Sequence, residues 1–113
     1  MDKKIYKYAD AIVTLKNAEI LENSALVQLA LGDCFTELKD LKNAEKCYIS
    51  ALNMAPNRFY PRYLLAKLYF SSNDTSGALY HSKELLSQKI KVNTPAIQEM
   101  KKEVSLIIKQ LNK

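Results

Sequence analysis

Tryptophan is absent from the 113-residue chain, and glycine, proline, cysteine and histidine are scarce, at two, three, two and one residues. So little glycine and proline excludes collagen-like and linker-like chains and leaves little room for a disordered arm. No apolar run reaches the length of a membrane span. The start, Met1-Asp2-Lys3-Lys4, is charged but not followed by an apolar h-region, so no secretory signal is expected and the chain reads as cytoplasmic. There is no P-loop, GxGxxG, HExxH or paired CxxC. The acids, bases and nucleophiles do not converge, and the lone His81 has only Glu84 among carboxylates and cysteines at a helical spacing of three or four. The expectation is therefore a non-enzyme with no catalytic residue, no metal site and no cofactor.

What the chain does have is apolar and charged residues, 48% and 26% of the total, arranged with a helical period. Six helices are expected: about Lys4 to Leu21, Ser24 to Leu38, Leu41 to Met54, Arg58 to Phe70, Thr75 to Ser87 and Pro95 to Leu111. The first carries Ile5, Tyr8, Ile12, Leu15 and Ile20 as its apolar positions. The second is nearly continuously apolar from Ala25 to Leu31, which implies burial on more than one side. Asn23 or Ser24, Asp40, Asp74 and Thr94 stand where N-caps belong, and Pro95 follows Thr94 at the first helical position. The last helix places Ile97, Met100, Val104, Ile107, Ile108 and Leu111 on one stripe with lysines and glutamates opposite.

A spacing of 34 links the middle of the chain to itself. Gln28, Leu31, Gly32, Phe35 and Ala44 are matched by Arg62, Leu65, Ala66, Tyr69 and Ala78, and Tyr48, Ala51 and Pro56 complete the first copy. Ala11, Leu15 and Ala18 match Ala44, Tyr48 and Ala51 at an offset of 33. The second copy departs from the pattern at Ser82, Leu85 and Ile90. Small residues at Gly32 and Ala44 suit a close helix crossing, with Leu31, Phe35 and Tyr48 filling the space beside it.

This order of large, Leu-Gly, aromatic, Ala, aromatic, Ala and Pro resembles the tetratricopeptide repeat, with Gln28 in place of the opening Trp. The resemblance implies an all-α stack of antiparallel helix pairs, an α-solenoid with a C-terminal capping helix. It divides the single domain into a half repeat at 1–22, a repeat at 23–57, a degenerate repeat at 58–90 and the cap at 94–111. It also implies a groove lined by first helices, and so a non-catalytic module that binds a protein or peptide partner. Leu26, Leu29, Asp33 and Thr36 would face that groove from one repeat, and Tyr60, Tyr63, Lys67 and Phe70 from the next, unless the end helices fold over them. A carboxylate clamp is not expected, since Leu29 and Asp33 stand where its polar residues would begin.

The stretches from Pro56 to Phe70 and from Ile90 to Met100 also resemble the C-terminal repeat region of bacterial O-antigen ligase and polymerase membrane proteins. That resemblance implies a soluble regulatory or scaffolding tail at the inner face of a membrane, with the glycan-transferring residues elsewhere in the parent protein. A different class of function rests on charge. The formal net charge is +5, and Lys89, Lys91, Lys101, Lys102, Lys109 and Lys113 against Glu99 and Glu103 place most of the excess at the end of the chain. A basic last helix can dock on anionic lipid or nucleic acid, although no aromatic stacking platform accompanies it for nucleic acid. Cys34 and Cys47, on paired helices, read as buried free thiols in a reducing compartment or a disulfide in an oxidising one.

Overall fold

The computed structural model describes residues 3–89 and 93–112. Those residues form six helices and no strand: α1 (Lys3–Leu21), α2 (Ala25–Glu37), α3 (Leu41–Met54), α4 (Phe59–Ser71), α5 (Thr75–Ser87) and α6 (Pro95–Leu111). Every expected helix is present, and no boundary moves by more than one residue. Ile90, Lys91 and Lys113, used in the sequence argument, lie outside the described residues.

Local chemistry accounts for the boundaries. The side chains of Ser24, Asp40, Asp74 and Thr94 accept from the backbone N–H groups of Val27, Asn43, Gly77 and Ile97, satisfying donors that a helix start leaves free. α4 begins at Arg58 without a side-chain cap. Its Pro61 falls in the first turn, where a missing N–H costs no helical bond. At the end of α3 the chain reaches Pro56, which has no N–H with which to continue a helix.

Contacts divide the chain into two compact units, Met1–Pro56 and Asn57–Lys113. In the first, α2 packs against both α1 and α3. Leu29, Leu31, Cys34, Ala44, Cys47, Tyr48 and Ala51 are buried there, so the continuous apolar run of α2 reflects two neighbours. Gln28, at the place of the repeat's large opening residue, is buried as well. Its amide donates to Asn23 Oδ1 at 2.8 Å and to the Glu19 carboxylate, joining the end of α1 to the start of α2.

One expectation for α1 needs correcting. Tyr8, Ile12 and Leu15 are half-buried, but Ile5 and Ile20, assigned to the same face, are exposed. Ile20 lies five residues beyond Leu15, about 140° further round the helix. Ile5 is exposed for another reason. The 19 residues of α1 span about 28 Å and the 13 residues of α2 about 20 Å, so the first turns of α1 overhang. No residue of α1 is fully buried.

In the second unit α5 packs against α4 and α6, and α6 also touches α4. Phe59, Tyr63, Ala66, Leu85 and Val104 form the core, with Leu64, Ile97 and Met100 packed around it. Leu85 stands where the first copy has Ala51, and its larger side chain meets this core, which includes Val104 of α6. The capping helix thus explains one of the departures from the repeat.

The period of 34 survives in backbone detail. After α2, the N–H groups of Lys39 and Asp40 bond to Thr36 O and Phe35 O; after α4, those of Asn73 and Asp74 bond to Phe70 O and Tyr69 O. Lys39 and Asn73 both have φ of 63°. Each turn is a Schellman motif that closes one helix and delivers an aspartate as the cap of the next.

The close crossing differs between the units. A Cβ on Gly32 would lie 2.4 Å from Tyr48 Cε1, so the ring of α3 rests directly on the glycine of α2. In the second unit these places hold Ala66 and Ser82, and the contact reverses direction. Tyr69 of α4 lies over Gly77 of α5, with 2.8 Å from an added Cβ to its ring. Ser82 is left fully buried, and its hydroxyl has no hydrogen-bond partner.

Candidate partner-binding surfaces

The residues expected to face a groove fall on matching positions of α2 and α4. In α2, Leu26 is 66% exposed while Leu29 is only 6% exposed. Asp33 is exposed but accepts a 2.6 Å bond from the Tyr48 hydroxyl. Thr36 is half-buried, donates to Gly32 O at 2.9 Å and lies 3.1 Å from the Tyr48 oxygen. Asp33 and Thr36 therefore fix the ring that covers Gly32 while keeping an edge toward solvent.

In α4, Tyr60 is 44% exposed and Tyr63 only 9%, their ring centroids 6.0 Å apart. The Tyr63 hydroxyl donates to the Glu103 carboxylate of α6 and accepts from Lys67 Nζ at 3.1 Å. Lys67 also sits 4.9 Å from the centre of the Tyr63 ring and 3.8 Å from Glu103, an exposed pair of modest strength. Burial first, and then the bond to Glu103, raises the Tyr63 phenol above its ordinary value. The bond to Tyr63 is the main reason that the Lys67 ammonium is also held up.

Beside this cluster a cleft of about 320 Å³ opens between α4 and α6, lined by Lys67, Phe70, Ser71, Glu103, Leu106, Ile107 and Gln110. Sequence reasoning identified its α4 wall, Lys67 and Phe70. It missed Glu103, Leu106, Ile107 and Gln110 as the opposite wall. The available signal was Leu106, a large apolar residue lying off the stripe of α6 and 59% exposed. Leu106 also borders a second depression, of about 430 Å³, with Lys101, Lys102, Ser105 and Lys109.

His81 is surrounded by rings and a cation. Arg62 donates to its Nδ1 at 3.3 Å, Tyr69 stacks at 5.5 Å and Tyr80 meets it edge-on at 5.0 Å. Burial, followed by the Arg62 charge, lowers its pKa from the ordinary 6.5, against a smaller upward pull from Glu84. The buried thiols Cys34 and Cys47 are free, and burial is the main cause that pushes both upward, away from the thiolate. Among the described residues no three His, Cys, Asp or Glu side chains are grouped to hold a metal ion, and no helix is long and apolar enough to cross a membrane.

Against models of known protein families and against curated proteins, the chain finds no match.

Proposed function

We propose that the chain is a non-catalytic helical-repeat module that binds a protein partner through an exposed first-helix face, which each unit carries separately. One observation carries this reading: Leu26 and Tyr60, 34 residues apart and each the second residue of its helix, are both large, apolar in body and exposed. Exposed aromatic side chains such as Tyr60 are common anchors at recognition surfaces. The tetratricopeptide-like spacing supports the same reading, and it applies equally to a free adaptor and to the soluble tail of a glycan-assembly membrane protein.

A photo-crosslinking residue placed at position 26 or 60 in the native host tests it. The expected result is one common adduct at both positions. Adducts that differ between the positions, or none above those at an exposed control such as Lys42, would overturn the reading.

A further inference from the structure

Resting on that reading, we infer that the α4–α6 cleft of the second unit receives one apolar side chain of an acidic partner segment, whose carboxylates lie along Lys101 and Lys109. The apolar part of the cleft is Phe70, Leu106 and Ile107. At about 320 Å³ it stands at the lower end of ligand clefts, roughly 300–1,000 Å³, which suits a single anchor rather than a large ligand. Leu106 is shared with the lysine-lined depression, so the apolar and cationic surfaces are continuous.

Charge selects the occupant. The Glu103 carboxylate accepts from Tyr63 and faces Lys67, and Glu99 lies 3.9 Å from Lys102. Among the described residues Lys101 and Lys109 have no carboxylate partner, so the positive charge beside Leu106 is not neutralised within the unit. A basic or neutral segment would leave it so, whereas an acidic one complements it. A lipid surface fits less well. Phe70 and Ile107 are recessed between two helices, and Leu106 is the only large apolar residue of α6 that is well exposed. A bilayer would have one side chain to take up.

The test uses the full chain and a fluorescent twelve-residue peptide with a central leucine among glutamates and aspartates, read by anisotropy. Saturable binding is expected. Replacing the peptide leucine by serine should weaken it about tenfold or more, as loss of one buried apolar side chain predicts. Leu106→Ser should do the same at every salt concentration. Lys101→Glu with Lys109→Glu should weaken binding at least about tenfold at low salt and less as salt screens the charges. Circular dichroism is expected to match the parent for both variants, since the replaced side chains are not in the core.

Equal affinity for the peptide without leucine would overturn the anchor. Equal affinity for a lysine-for-glutamate peptide would overturn the charge preference. Binding to phosphatidylserine-containing vesicles without binding to the peptide would assign the surface to a membrane instead. If the peptide fails while the common adduct at positions 26 and 60 persists, only the cleft assignment falls; if both fail, the partner-binding reading falls with it.

Discussion

At the scale of single residues, Gly32 and His81 show how neighbours decide what a side chain can be. Tyr48 cannot swing away from a larger residue at position 32, because its hydroxyl is tied to Asp33 and its ring is buried. Gly32→Ala would gain about 1 kcal/mol of helix propensity but overpack the crossing by roughly 1–3 kcal/mol. A net loss is expected, and urea unfolding should show it. Adding Tyr48→Ser, which reproduces the Ala66 and Ser82 pair of the second unit, should cost less than the sum of the two single changes; strict additivity would show that the ring and the glycine are not coupled. His81 gives a pH dependence. The unfolded chain takes up a proton near the ordinary 6.5, whereas the folded chain resists it because of burial and Arg62. The unfolded state then binds more protons between the lowered value and 6.5, so stability rises with pH across that window. The contribution is complete above 6.5 and is lost as pH falls toward the lowered value. The urea midpoint should therefore drop more between about pH 7.5 and 5.5 in the parent than in His81→Gln, and equal drops would place the effect elsewhere.

At the scale of elements, what was legible in the sequence is what a few consecutive residues decide. Caps at Ser24, Asp40, Asp74 and Thr94 act over three residues, so the helix starts could be read directly. The exposure of Ile5 and Ile20 depends on the length and direction of a neighbouring helix, which the pattern of α1 alone does not contain. The reversal of the crossing in the second unit was hidden for a related reason. Gly77 aligns with Asn43 by the period of 34, not with Gly32, and only packing shows that Tyr69 covers it. The two turns suggest an element-scale change. Asn73 tolerates the left-handed conformation, but Lys39 adopts it with a full side chain and without such local help. Lys39→Gly should stabilise the first unit by about 1 kcal/mol, since glycine takes the left-handed conformation without the Cβ clash that costs other residues roughly 1–2 kcal/mol. An unchanged or lower melting temperature would show that the Lys39 side chain contributes a contact that outweighs the strain.

At the scale of the whole molecule, the 34-residue correspondence read from five landmark pairs extends through both turns, down to the same hydrogen bonds. The all-helical architecture was therefore legible almost completely. The candidate surfaces were legible only on α2 in the first unit and on α4 in the second. Leu26 and Tyr60 are exposed, whereas Leu29 and Tyr63 turn into their own units, and the far wall of the cleft comes from a helix that the repeat pattern does not describe. In each unit a tyrosine hydroxyl donates to a carboxylate, Tyr48 to Asp33 and Tyr63 to Glu103. A phenol bonded to a carboxylate loses its excited-state proton readily and emits weakly. Because the chain has no tryptophan to mask tyrosine emission, unfolding of either unit should brighten the protein. Asp33→Asn and Glu103→Gln would silence that change one unit at a time, giving each half of the molecule its own optical signal.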